Sequence, residues 1–305
     1  MNTTKTASRF CPITAPALVA LLVIFVIAMP DAAMATIVEE VIEMPIAVKN
    51  RYGLETKQAM KIGVLRDAAR SAPQPFLILG HGRPGTGNFS GVSWTGYRAQ
   101  ARFFASRGFV VFVPVRVGYG ETGGPDVEES GKCDSRDYEF TYRVGGEQTR
   151  KVIELAKTLP YVDPGRGMVA GQSFGGTLAI EAAAGNIPGV VAAINFAGGG
   201  GGDPVDRPGN PCRADRLEDL FARYGRTTRI PTLWLYSEND AYWGRKHPHN
   251  WFEAFVKSGG KGEFVQLAAV ENALPAAGHL AFSRSMKEWR PHVERFLASV
   301  GFDNP

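Results

Sequence analysis

Gly171-Gln172-Ser173-Phe174-Gly175 follows a short apolar stretch, Met168–Ala170, and runs into a small-residue segment, Thr177–Ala184. A serine set between glycines at a strand-to-helix turn is placed to act as a nucleophile. The glycines permit the sharp reversal, and the helix start supplies unpaired N–H groups and a positive dipole end. A serine hydroxyl stays weak until a base takes its proton and an acid orients that base. For this kind of turn the acid and then the histidine come later in the chain. Asp240 sits just past the apolar stretch 231–236, with Glu238 as a competing acid closer to the strand. His279 follows Gly278, after the stretch 264–270. The other histidines fit less well: His81 precedes the serine, His247 and His249 come too soon after Asp240, and His292 lies on the last helix. The candidate catalytic set is Ser173, Asp240 and His279, and its chemistry would be acyl transfer through a covalent serine intermediate. Such an intermediate needs two N–H donors for its oxyanion. One is expected from Phe174. The second is expected from the loop His81-Gly82-Arg83-Pro84-Gly85, with Arg83 as the candidate through its backbone, because Pro84 has no N–H. This mechanism requires no cofactor. His247-Pro248-His249 has no clustered third ligand and is a weak basis for a metal site.

These residues need a frame. Residues 37–49 and 58–65 alternate apolar with polar, as half-buried antiparallel strands do. Fully apolar runs at 76–79, 109–115, 168–171, 190–196, 231–236 and 264–270 read as buried strands. Helical spacing appears at Trp94, Tyr97, Ala101 and Phe104, at 152–159 before Pro160, at 177–184, and from Met286 to Leu297 with Pro291 inside. The pattern predicts an α/β fold: a mostly parallel central sheet, antiparallel N-terminal edge strands, and helices on both faces. Two irregular stretches stand out, 117–137 and 197–212, the second with five consecutive glycines at 198–202. Both follow strands, so both are expected at the carboxyl edge, where open α/β sheets bind ligands.

The chain has 305 residues, a net charge of +4 and 44% hydrophobic residues, enough for a sizeable core. Its basic residues are scattered, with no basic run, which argues against a nucleic-acid partner. Lys5 and Arg9, the apolar run Ala17–Met29 and Ala33-Met34-Ala35 form the three-part pattern of a secretory signal peptide over residues 1–35. The alternative is an uncleaved anchor, but the 13 residues of Ala17–Met29 span only about 20 Å as a helix against a bilayer core of about 30 Å. The expectation is one exported domain over 36–305, with no stable membrane association. Removing the leader takes Cys11 and leaves Cys133 and Cys212. An even count in an exported chain favours a disulfide between the two long loops, with two unpaired thiols as the alternative.

Four segments carry a resemblance: H-G-R-P-G at 81–85, R-V-G-Y-G-E-T-G-G at 116–124, G-Q-S-F-G-G at 171–176, and S-E-N-D at 237–240 with Gly278-His279. Together they resemble the α/β-hydrolase superfamily over roughly residues 60–300, most nearly its dienelactone hydrolase group and the catalytic domain of prolyl-oligopeptidase-like proteins. The resemblance implies an α/β-hydrolase fold, a small-molecule ester substrate and a serine esterase. Dienelactone hydrolases proper carry a cysteine where this chain has Ser173. Prolyl-oligopeptidase-like peptidases carry a large N-terminal propeller, whereas only about 40 residues precede the hydrolase part here, which argues against a typical gated oligopeptidase. Two further readings stand beside the esterase: a peptidase or amidase of the same fold, and a non-catalytic binding protein on a hydrolase scaffold. Tyr119, Trp243 and Phe174 are read as either pocket lining or packing, and Arg116 as either a substrate-carboxylate ligand or half of a buried ion pair.

Overall fold

The computed structural model describes residues 1–3, 35–85, 87, 89–271, 274 and 276–302. The chain divides into two units, Met1–Met34 and Ala35–Pro305, and every element below belongs to the second. The predicted leader falls almost wholly outside the described residues.

Eight strands form one sheet in the order β1-β2-β4-β3-β5-β6-β7-β8. β1 (Ile37–Lys49) pairs antiparallel with β2 (Glu55–Asp67), and β2 pairs antiparallel with β4 (Val110–Pro114). β3 (Gln74–Gly80), β5 (Val162–Gln172), β6 (Val190–Phe196), β7 (Pro231–Ser237) and β8 (Lys261–Leu267) complete a parallel run with β4. β1 is an edge strand of this sheet, with Glu40, Glu43, Pro45 and Lys49 exposed along it.

The helices are α1 (Arg98–Ala105), α2 (Tyr138–Ala156), α3 (Phe174–Ala184), α4 (Ala214–Thr227), α5 (Lys246–Lys257), α6 (Ala281–Arg284) and α7 (Met286–Ser299). One face of the sheet buries Phe103 and Phe104 of α1 with Trp289, Val293 and Phe296 of α7. The other buries Val152 and Ile153 of α2 with Ala179, Ala182 and Ala183 of α3. α3, α4 and α5 share a third cluster with Trp234 and Tyr236 of β7.

The structure departs from the sequence reading at several elements. β8 covers 261–267 rather than 264–270, because its register with β7 ends at Ser237↔Leu267 and leaves Ala268–Val270 without a strand to pair with. α2 begins at Tyr138, well before the predicted 152–159. Its first turns bury Thr141 and Gln148 beside Tyr138 and Tyr142, which interrupts the apolar rhythm. α4 and α5 were not anticipated; their buried stripes are Leu217, Leu220 and Phe221, and Trp251 and Phe255. α7 runs on through Pro291.

The chain passes from β3 to β4 on one side of β3, then returns across it to β5 on the other. The carboxyl ends of β3 and β5 therefore border the point where connections diverge, the crevice that open α/β sheets use for ligands.

Candidate active site

Ser173 joins β5 to α3 with φ 56° and ψ −121°, a conformation that L-residues rarely adopt. The turn is held from several sides. Ser173 N–H donates to the Phe196 carbonyl of β6 at 2.8 Å, and the first turn of α3 closes on the Ser173 carbonyl through Gly176 and Thr177. A Cβ on Gly175 would lie 2.2 Å from the Gly80 carbonyl oxygen, so the elbow can press against the end of β3 only with glycine there. A Cβ on Gly82 would come within 3.1 Å of Ser173 Cβ, which places the 81–85 loop directly beside the hydroxyl.

Asp240 follows β7 in a short turn and is buried. Its Oδ1 accepts the Tyr242 N–H at 2.8 Å, and its Oδ2 accepts from His279 Nδ1 at 2.9 Å. This bond fixes the tautomer that leaves Nε2 without a proton in the neutral ring. Glu238, the competing acid, is exposed and faces Arg245 at 3.9 Å. The His279 ring lies over Tyr242, centroids 4.2 Å apart, with Trp243 edge-on at 5.3 Å. His279 and Ser173 line the same cavity, of about 320 Å³. No hydrogen bond joins their side chains among the described residues.

A hydrogen-bonded bridge ties the three loops together. Gly82 N–H donates to Tyr97 Oη at 3.2 Å, Tyr97 Oη–H donates to Gln172 Oε1 at 2.7 Å, and Gln172 Nε2 donates to the His279 carbonyl at 2.9 Å. Sequence reasoning missed Tyr97; Gln172 lay in plain view as the variable position before the serine. Gly82 N–H is thus committed to Tyr97, and Pro84 has no N–H to offer. Phe174, the first residue of α3, has no carbonyl a turn earlier in the helix to bond.

Behind the 81–85 loop, Arg116 Nε donates to Glu128 Oε1 at 2.8 Å, with side-chain exposures of 2% and 0%. Arg116 is thus one half of a buried ion pair. Its Nη1 donates to the His81 carbonyl at 2.8 Å, and its backbone N–H donates to His81 Nε2 at 3.1 Å. Burial, reinforced by the Arg116 charge, holds the His81 pKa well below its ordinary value, so the ring is a neutral structural strut. Tyr119 is buried and gives its hydroxyl proton to Glu128 Oε2 at 2.9 Å, so it packs rather than lines a cavity.

On the other side of Ser173 lies a second cavity of about 250 Å³, walled by Phe174, Trp243, Tyr138, Tyr142 and the glycine run. Four consecutive carbonyls of that run are held by aromatic donors: Ala197 by Trp243, Gly198 by Tyr236, Gly199 by Tyr142 and Gly200 by Tyr138. Cys133 and Cys212 form a disulfide, Cα atoms 5.0 Å apart, which joins the two long loops at this cavity. His247 and His249 diverge, one stacked on Trp251 and the other on Phe264. Among the described residues no three His, Cys, Asp or Glu side chains cluster as a metal site, and no helix is long and apolar enough to cross a membrane.

The dienelactone hydrolase family model matches residues 87–266, more than half of the chain and inclusive of Ser173 and Asp240. The chain belongs to the dienelactone hydrolase family. Its sheet order and elbow are those of the α/β-hydrolase fold. Solved structures of similar fold include esterase 2 of Thermogutta terrifontis, at 17% identity over 86% of this chain and 96% of that one, with a TM-score of 0.54. A dienelactone hydrolase-like promiscuous phosphotriesterase from metagenomic libraries aligns at 14% identity over 85% and 99% of the two chains, with a TM-score of 0.56. An acylaminoacyl peptidase aligns at 15% identity over 83% of this chain but only 41% of its own, with a TM-score of 0.53. No curated protein matches the chain significantly. This member of the dienelactone hydrolase family carries Ser173 at the elbow.

Proposed function

We propose that this member of the dienelactone hydrolase family is an exported serine hydrolase that cleaves carboxylic esters. The observation that carries the reading is the buried Asp240–His279 pair opening onto the cavity that Ser173 also lines. In the first step Ser173 Oγ bonds to the ester carbonyl carbon while His279 Nε2 takes its proton. The tetrahedral oxyanion accepts the Phe174 and Arg83 N–H groups. Collapse breaks the bond to the alcohol oxygen, and His279 returns its proton to that oxygen. Water then attacks the acyl-enzyme with His279 as base, releasing the acid and restoring Ser173. Asp240 holds the imidazole in the working tautomer and stabilises its charged form.

Because His279 must protonate the departing oxygen, the alcohol belongs in the 320 Å³ cavity that His279 lines. The acyl group then belongs in the 250 Å³ cavity beyond Ser173. Export is supported by the leader pattern of residues 1–35 and by the disulfide, a bond that persists in oxidising compartments. The test is hydrolysis of p-nitrophenyl acetate and butyrate by residues 36–305 beside Ser173→Ala. Turnover by the wild type alone is expected, with kcat lower in the variant by on the order of 10⁴-fold or more. Equal turnover by both would place the activity elsewhere and sink the mechanism. Aminoacyl amides in the same assay separate an esterase from a peptidase.

A further inference from the structure

Three separate stretches of chain meet beside Ser173: the 81–85 loop, the elbow itself and the turn that carries His279. One hydroxyl stands among them. Tyr97 Oη accepts the Gly82 N–H at 3.2 Å and donates to Gln172 Oε1 at 2.7 Å, and Gln172 Nε2 carries the connection on to the His279 carbonyl at 2.9 Å. Desolvation raises the Tyr97 pKa above its ordinary value, so the phenol keeps its proton and its role as donor. With Tyr97 donating to Oε1, the Gln172 amide has one orientation, Nε2 toward His279. Gln172 is buried and directly precedes Ser173.

The hydroxyl is held by a rigid element. Tyr97 immediately precedes α1, and its ring lies against Phe282, centroids 5.7 Å apart. Gln100, in the first turn of α1, donates to the Phe282 carbonyl at 3.1 Å, so the helix grips the segment that follows His279 at two points. Gly82 is gripped as well. Its N–H meets Tyr97, and its carbonyl accepts from His81 Nδ1 at 2.6 Å, the nitrogen left to carry the proton of the neutral ring once Nε2 accepts from Arg116. A trans peptide sets the Arg83 N–H opposite that carbonyl, so fixing Gly82 fixes the direction of the donor assigned above to the oxyanion. Tyr97 lines the 320 Å³ cavity, but its hydroxyl is bonded on both sides by protein and acts through those neighbours.

We propose that Tyr97 is a positioning residue for the ester cleavage, its hydroxyl setting the oxyanion loop and, through Gln172, the His279 turn against Ser173 together. This deepens the esterase reading above and rests on it. Without the hydroxyl, Ser173, His279 and Asp240 keep their chemistry, but the loop and the histidine shift independently of each other. A misplacement of about 1 Å is enough to cost on the order of 10²-fold in rate.

The test is Tyr97→Phe, which removes the hydroxyl and keeps the ring on Phe282, beside Gln172→Met and the double variant. Each is assayed on p-nitrophenyl butyrate, with kcat counted per site titrated by a fluorophosphonate so that unfolded protein does not enter the rate. Tyr97→Phe is expected to lower kcat by on the order of 10- to 100-fold, with KM within about twofold of wild type. Gln172→Met is expected to fall in the same range. The double variant is expected within about twofold of the slower single change, because both cut one bridge. A kcat for Tyr97→Phe within about twofold of wild type overturns the role. So does a rise in KM at unchanged kcat, which would make Tyr97 a cavity wall only. Losses that multiply in the double variant also overturn it, since the two residues would then act separately. Each of these results leaves the esterase standing. If wild type and Ser173→Ala turn over the ester alike, the hydrolase reading falls and the positioning role with it.

Discussion

Two buried acid–base pairs lie near Ser173, Arg116–Glu128 and Asp240–His279, and they are built to opposite ends. In Arg116–Glu128 both carboxylate oxygens are filled, Oε1 by Arg116 and Gln148 and Oε2 by Tyr119, and the pair lines neither cavity beside Ser173. In Asp240–His279 the carboxylate is equally well satisfied, by Tyr242 and His279, but the far edge of the imidazole faces a cavity. Burial alone therefore does not mark a working charge. A sealed pair holds the 81–85 loop in place; a pair with one open edge can pass a proton.

The largest expected effect tests the open pair. Asp240→Asn should lower kcat by on the order of 10⁴-fold, since an amide presented to Nδ1 favours the wrong tautomer, while the midpoint of urea unfolding moves little. A variant that keeps its rate would remove Asp240 from the chemistry. For the sealed pair the order is reversed. Arg116→Met should cost about 3–5 kcal/mol of stability, because Glu128 is left buried with no counter-ion. Replacing both partners together, Arg116→Met with Glu128→Leu, should cost less than the single change. A double variant less stable than the single would show that the pair is worth more than its own desolvation.

The disulfide extends the comparison to the other cavity wall. Its partners are 79 residues apart, and replacing both cysteines by serine should cost roughly 4 kcal/mol on the chain-entropy model. Equal unfolding midpoints with and without reductant would contradict this. Glu181, on α3, is the intermediate case. Arg150 holds Oε1 at 2.9 Å, while Oε2 is buried with no hydrogen-bond partner among the described residues. Burial pushes its pKa up to about 7, against the pull of Arg150. A carboxyl whose folded pKa is raised binds its proton more tightly in the folded state. Its contribution is fully present below the ordinary pKa of about 4.5 and is lost as pH rises through about 7. The loss amounts to about 3 kcal/mol. Glu181→Gln should flatten that slope and gain stability above pH 7, measured as unfolding free energy against pH. An unchanged slope would exclude Glu181 as its source.

Much of the arrangement was legible in the sequence because it depends on chain order. Ser173 and Asp240 sit just after apolar stretches and His279 follows a third along the chain, and a parallel sheet carries the ends of such stretches to one edge. What could not be read was contact at a distance. Nothing in the spacing of Tyr97 shows that its hydroxyl lies between Gly82 and Gln172. The run Gly198–Gly202 reads as a loose loop by composition, yet it is packed: Cβ atoms on Gly199 and Gly200 would lie 2.7 Å from Trp243 and Tyr138. The glycines there serve close approach, and the rings that hold them come from α2, β7 and the turn after Asp240. α4 had a readable stripe at Leu217, Leu220 and Phe221, obscured by the charged residues around it.

The edge at β1 bears on how the molecule behaves in company. Among the described residues no strand pairs with the outer side of the thirteen-residue β1, and such an edge is a template on which another chain can build. Here a second strand approaching β1 would bring its own charges against Glu40, Glu43 and Lys49, and would find no amide hydrogen at Pro45. The charges and the proline along β1 are the devices by which edge strands discourage pairing with another copy.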